Sequence, residues 1–255
     1  MNRITYEYDR LADRKRLDFI AGAVQSRFSD KARILDVGCG NGVISRHLGK
    51  LGFNVLGIDV SEAAIEKARQ LNNMGNVKFE VLSAEQLVAD GQTFDAVICS
   101  EVLEHLSQPS ALLKVLHQSI KPDGILIVTV PNGAGPRELL VTRPVLKMRE
   151  QNGVVWKMVQ KVKSGLGYNG TTVQSAASNL DHIQFFKKTD LRRLSEENNF
   201  KIVGFGKANF IEDVFPFSFV TKRVPALQWL DCKVADLLPY QFTGGFFSVW
   251  EKKDK

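Results

Sequence analysis

Short, nearly continuous apolar runs alternate along this chain with longer stretches in which apolar residues return every three or four positions. The runs at 33–37, 54–59, 77–82, 94–100 and 125–130 are rich in Val, Ile, Leu and Phe. Unbroken apolar runs of that length suit strands buried on both faces of a parallel sheet. Between them the helical period predicts helices at 43–51, 62–71 and 110–120, with Ser61 as the N-cap of the second. Upstream, Leu11, Leu17, Ile20, Ala21 and Val24 form the apolar stripe of a helix within 8–28, and Arg10, Asp13, Arg14 and Arg16 decorate its other face. Tyr6, Tyr8 or Arg14 is an alternative lining residue for a ligand site. Downstream the pattern predicts a helix at 189–198 with Thr189 as N-cap, a strand at 201–208, a helix at 225–238 and a strand at 245–252. Strands that alternate with helices give an α/β, doubly wound, mostly parallel sheet.

The first strand breaks into Gly38-Cys39-Gly40-Asn41-Gly42, and a helix follows. Such a turn lets the backbone bend tightly and places a helix N-terminus over the gap, which favours polar or anionic ligand groups. A dinucleotide fingerprint would need a third glycine where Val43 stands. Asp36 would repel a pyrophosphate and hold a cationic amine. The stretch Leu35-Asp36-Val37-Gly38-Cys39-Gly40-Asn41-Gly42 resembles the first motif of class I S-adenosylmethionine (SAM) methyltransferases. The resemblance implies that Gly38, Cys39, Gly40 and Gly42 cradle the amino-acid end of SAM and that Asp36 holds its amine. It also implies a seven-stranded, Rossmann-like sheet whose last strand is antiparallel.

Further along, Asp59 ends the second strand 17 residues after Gly42. A carboxylate at the carboxyl end of the neighbouring strand can accept hydrogen bonds from two ribose hydroxyls, with Val60 beside it. Ser83-Ala84-Glu85 resembles the family's adenine-contacting loop, although Glu85 could equally start the helix that contains Leu87. Ser100, Glu101 and Val102 are expected to back the methionine end. The Phe94-Asp95 strand and the Pro122-Asp123-Gly124 turn complete the family's order, so that the likeness covers residues 30–132.

The segment Glu101-Val102-Leu103-Glu104-His105 is expected on a helical turn, where positions i, i+3 and i+4 share a face. Ubiquinone-pathway O-methyltransferases and small-RNA 2′-O-methyltransferases carry similar E-x-x-E-H segments, with a later histidine before an aromatic stretch. Here Asp181-His182-Ile183-Gln184-Phe185-Phe186 stands in that place. Three readings stay open. Glu101, Glu104, His105 and His182 could hold Mg or Zn and lower the pKa of a substrate hydroxyl. His105 or His182, with Glu104, could instead act as metal-free acid and base toward the acceptor. Or Glu104 and His105 merely cap and pack the strand-to-helix turn.

Composition narrows the rest. A chain of 255 residues with 44% hydrophobic and 24% charged residues fits one soluble domain, 1–255. Insertions are expected at 133–180, a basic amphipathic lid, and at 211–243, an aromatic-rich helical elaboration. Three scattered cysteines argue against a disulfide framework, and the start lacks a signal peptide's apolar core. A cytoplasmic location is expected. Residues 137–163 carry seven basic side chains against Glu138 and Glu150, a face suited to an acidic substrate or an anionic membrane surface. Nucleic acid is disfavoured, because aromatic residues are not interleaved with that run.

The reading that unites these features is SAM-dependent O-methylation of a small-molecule, glycan or lipid-like acceptor, with S-adenosylhomocysteine (SAH) as product. A metal-dependent RNA 2′-O-methyltransferase and a non-catalytic SAM-binding protein are the alternatives. Acceptor identity and oligomeric state are not written in the residues.

Overall fold

The computed structural model describes residues 7–89, 91–144, 183–212, 214, 217–221 and 223–253. Seven strands form one sheet in the order β3-β2-β1-β4-β5-β7-β6. They are β1 (Arg33–Val37), β2 (Asn54–Asp59), β3 (Val77–Val81), β4 (Phe94–Ser100), β5 (Ile120–Pro131), β6 (Phe200–Lys207) and β7 (Gly245–Lys252). The first five run parallel, while β7 lies antiparallel to both β5 and β6.

Alternation along each strand feeds two apolar layers. Leu35, Val37, Val97, Cys99, Leu126 and Val128 pack with α4 (Ala84–Ala89), α5 (Pro109–Ser119) and α6 (Lys188–Glu197) on one face. Ile34, Val55, Ala96, Ile98, Ile125 and Ile127 meet α1 (Leu11–Gln25), α2 (Val43–Lys50) and α3 (Glu62–Leu71) on the other. Ser61 caps α3 as expected, its Oγ accepting from the Ala64 amide at 3.3 Å. The α6 cap differs from expectation. Lys187, not Thr189, is the N-cap, because the Asp190 carboxylate reaches back to the Lys187 amide at 2.9 Å.

The strand order reverses between β1 and β4, which opens a crevice at their carboxyl ends. An added Cβ on Gly38 would sit 2.6 Å from Val102 Cγ2, so the turns that follow these two strands touch across it. The C-terminal elaboration carries α7 (Phe217–Thr221) and α8 (Pro225–Leu237), and it projects from this same end of the sheet. Asn132, just past β5, anchors it by donating to the carbonyls of Thr243 and Tyr240 at 2.7 and 3.1 Å. Of the expected lid, residues 133–144 are described and include a π-helical turn, Glu138–Thr142. The remainder, with the amphipathic stripe around Val155 and the glycine loop at 165–172, lies outside the described residues, as does His182.

Candidate active site

Three consecutive devices set the glycine turn. Gly38, Gly40 and Gly42 all have positive φ, at 67°, 54° and 79°. The Arg46 guanidinium on α2 donates to the Asn41 carbonyl at 2.5 Å, and Glu7 clamps Arg46 from the other side. Gly42 also packs flush on Phe79, whose ring would lie 2.3 Å from any Cβ there. The glycines at 38 and 42 therefore answer to neighbouring side chains, Val102 and Phe79, rather than only to an approaching ligand.

Asp36 sits under this turn, 1% exposed, and its Oδ2 accepts from Ser45 Oγ at 2.6 Å. Burial pushes its carboxyl up to about 7; the Ser45 hydrogen bonds oppose that rise and the Asp59 charge adds to it. No cation among the described residues contributes to holding Asp36 ionised. A buried carboxyl with a second acid, Asp59, beside it is electrostatically suited to a positive ligand group. Asp59, at the end of β2, accepts from the Gly40 amide at 3.0 Å and the Ser61 amide at 2.8 Å, one on each oxygen. Each oxygen keeps a further lone pair for a hydroxyl donor. Val60 beside it is 77% exposed.

After β4 the chain turns sharply through Glu101, which adopts φ +57° although it is not glycine. Non-glycine residues rarely occupy that region, and those that do cluster where function demands it. Glu101 Oε1 accepts from Thr129 Oγ1 at 2.9 Å and lies 3.5 Å from the Arg16 guanidinium, which also binds Asp13 at 3.0 Å. Ser100 joins the chain through Thr129, 2.8 Å away. Arg16 is thus buried against the site and not on the outer helical face that periodicity predicts. A polar cavity of about 100 Å³ opens here between Glu101, Arg16, Arg10, Arg137 and Asn209.

A family profile described as a methyltransferase domain matches residues 6–204. This chain belongs to the class I SAM-dependent methyltransferases. The ubiquinone biosynthesis O-methyltransferase of Neisseria meningitidis serogroup C is 36% identical over 122 residues, which are 46% of this chain and 50% of that protein. The chain spans about half the length of the curated relatives it matches. A SAM-dependent methyltransferase from Methanosarcina mazei superposes with a TM-score of 0.59 at 18% identity, covering 91% of this chain and 98% of that one. Magnesium protoporphyrin IX methyltransferase from Synechocystis, solved with SAH, gives 0.56 at 20% identity over 95% and 84% of the two chains. At those identities the likeness is one of fold.

Within this chain the expected cofactor residues fall along one edge of the crevice. Asp36, Gly38, Cys39, Gly40, Gly42, Asp59 and Val60 come from the ends of β1 and β2, and Ser100, Glu101 and Val102 from the end of β4. Ser83 instead caps α4: it exchanges hydrogen bonds with Gln86, whose amide lies 3.4 Å from Ser83 Oγ and whose Oε1 accepts from the Ser83 amide at 2.9 Å. Ala84 is buried and the Glu85 side chain faces solvent.

The E-x-x-E-H segment departs from the expected helical face. Positive φ at Glu101 and the short 3-10 turn Leu103–His105 replace the expected helical turn and give its two carboxylates different settings. Glu101 faces the cavity, whereas Glu104 is 1% exposed and neither of its oxygens has a hydrogen-bond partner among the described residues. Burial drives the Glu104 carboxyl well above the ordinary range; Glu101 and Glu138 add to this, and Arg16 opposes it. His105 Nε2 lies 3.8 Å from Glu104 Oε1. Among the described residues no three His, Cys, Asp or Glu side chains are grouped to hold a metal, so Glu101, Glu104 and His105 do not form the set that sequence spacing suggested for Mg or Zn. The Glu104 carbonyl accepts from the Ile183 and Gln184 amides at 2.8 and 2.9 Å, which anchors the chain immediately after His182 to this turn. Sequence reasoning missed Arg16, Arg46, Thr129 and Asn209; only Asn209, in a polar break after β6, left any trace.

Proposed function

We propose that this chain, as a single domain, binds SAM in the β1–β4 crevice and methylates an oxygen of a small-molecule, glycan or lipid-linked acceptor. The observation that carries the reading is Asp36, a buried carboxyl beneath the glycine turn with no cation beside it among the described residues. SAM supplies a cationic α-amine to pair with that carboxyl and an electrophilic methyl carbon for transfer. Asp59 takes the ribose hydroxyls on its remaining lone pairs. The Gly38–Gly42 turn shapes the amino-acid end, and the 83–85 segment borders adenine. In-line methyl transfer needs little covalent help, so positioning and removal of one proton supply most of the rate.

His105 is the proposed proton acceptor, assisted by His182. The Glu104 carboxyl lies 3.8 Å from the imidazole that takes the acceptor proton and borders it on the protein side. Glu101 lines the acceptor cavity and, through Arg16 and Thr129, fixes the turn after β4. The curated relatives named for ubiquinone biosynthesis favour oxygen as the methylated atom.

Transfer of labelled methyl from SAM into fractionated cell extract tests the proposal. Label in a small-molecule, glycan or lipid pool supports it. Label that disappears after nuclease treatment moves the acceptor to RNA, and SAM binding without transfer to any pool refutes catalysis.

A further inference from the structure

Helix α8 is built inside out. Its inward face carries Gln228, Asp231, Cys232 and Ala235. Gln228 Oε1 accepts from the Leu11 amide at 2.9 Å, and the Asp231 oxygens accept from the Phe210 and Ile211 amides at 2.8 Å each. The polar side of the helix is therefore spent on the protein. Its outward side presents Trp229, Leu230 and Leu237, which are 56%, 51% and 87% exposed. Neighbouring α7 does the same with Phe217 and Val220, both more than half exposed.

Between the two helices lies a cavity of about 540 Å³, lined by Phe210, Phe217, Val220, Leu227, Leu230 and Val234. Its polar lining groups are already satisfied: Asp231 by the two amides, Thr221 by donating to the Phe217 carbonyl at 3.0 Å. An occupant would meet hydrocarbon and nothing to hydrogen-bond. A helix that buries its polar side chains and exposes Leu and Trp faces an apolar phase.

Charge on this face decides which phase. Lys233 and Arg223 are exposed there, with the Lys233 ammonium 5.8 Å over the Trp229 ring. The exposed acid of α8, Asp236, is neutralised by Lys15 at 2.5 Å. A second copy docking through the same face would bring Lys233 and Arg223 with it and no acid of α8 left to pair them, since Asp236 is held by Lys15 and Asp231 by backbone amides. An anionic bilayer complements both the cations and the apolar side chains, and Trp beside Lys is the pairing favoured at a membrane–water boundary. Among the described residues no helix is long and apolar enough to cross a membrane, so such a contact is a surface one.

We propose that the α7–α8 face docks on the surface of an anionic phospholipid bilayer, with acyl chains entering the cavity between the two helices. Because β5 and β6 end where this elaboration begins, docking turns the crevice end of the sheet toward the lipid. The inference does not depend on methyl transfer.

Co-sedimentation of the full chain with phosphatidylglycerol vesicles, and separately with phosphatidylcholine vesicles, tests it. Strong binding is expected only to the anionic vesicles, weakening with salt. Leu230→Asp combined with Leu237→Asp replaces two exposed residues, so the variant should keep its melting temperature while binding falls at least about tenfold. Lys233→Glu should weaken binding several-fold and flatten its salt dependence. In a Trp156→Phe background, Trp229 emission should shift to the blue on binding, since Trp250 is already buried. The proposal is overturned if phosphatidylglycerol vesicles do not bind, if the folded double variant binds as well as the parent, or if both vesicle types bind equally. It is also overturned if the double variant abolishes a dimer and vesicle binding is unaffected.

Discussion

Asp36 gives the sharpest prediction, because its burial opposes stability as strongly as it serves ligand binding. Its carboxyl is raised in the folded chain from 3.8 to about 7. A group whose folded-state pKa lies above its unfolded value contributes stability below the unfolded value and loses it as pH rises through the folded one. One unit is worth about 1.36 kcal/mol, so ionising Asp36 costs the ligand-free fold up to ~4 kcal/mol above pH 7. At pH 5.5 only about half of that cost, ~2 kcal/mol, has accrued. Asp36→Asn removes the charge while an amide oxygen can still accept from Ser45. The amide hydrogens it adds are buried and cost about 1–3 kcal/mol if they find no acceptor.

The absolute gain is therefore modest, about 1–3 kcal/mol at pH 8.5, or a rise in Tm of roughly 2–12 °C for a chain of this size. Its pH dependence is cleaner, since the amide penalty is the same at every pH. The stability difference between variant and parent should grow by about 2 kcal/mol between pH 5.5 and 8.5, and level off above. Thermal or denaturant unfolding without ligand at the two pH values reads this directly. The same variant, more stable, should bind SAM at least tenfold more weakly by calorimetry, because the carboxylate that pairs with the amine is gone. A stability difference that does not change with pH would refute the assigned burial cost. Unchanged SAM affinity would refute the role of Asp36 as the amine's partner.

Other perturbations separate the site's parts. Asp59→Ala should weaken SAM binding by an order of magnitude or more and loosen the turn, since the Gly40 amide loses its acceptor; titration calorimetry reads the first effect. His105→Ala should leave SAM affinity nearly intact and lower turnover, as measured by comparing equilibrium binding with single-turnover transfer. Gly42→Ala should destabilise the chain by at least 2 kcal/mol, because positive φ and the Phe79 ring both oppose a Cβ; a Gly42→Ala chain that melts like the parent would refute the packing. Arg16→Lys keeps the charge but loses the fork that spans Asp13 and Glu101. Turnover should fall more than SAM affinity does.

The parts of this molecule that were legible in its residues are those fixed by neighbours in sequence. The parallel strands announce themselves because burial on both faces demands unbroken apolar runs, and Asp36 and Asp59 are visible as acids interrupting such runs at their ends. Ser61 is a cap within reach of its own helix. Arg16 is different. Periodicity places it on the polar side of α1, yet its partner Glu101 lies on another element, beyond four intervening strands in sequence. No local pattern encodes that pairing.

The E-x-x-E-H segment shows why the distinction matters for chemistry. Spacing alone puts two carboxylates and an imidazole on one helical face, which suggests convergence on a ligand. One residue in the left-handed region breaks that assumption, sending Glu101 to the cavity and Glu104 into the core. The two acids then do different work: the half-exposed one organises the turn through Arg16 and Thr129, and the buried one is held toward its protonated form by its surroundings. α8 repeats the lesson at larger scale, because its helical pattern is visible in the sequence, while which side faces inward is decided by Gln228 and Asp231 bonding to backbone amides elsewhere in the chain.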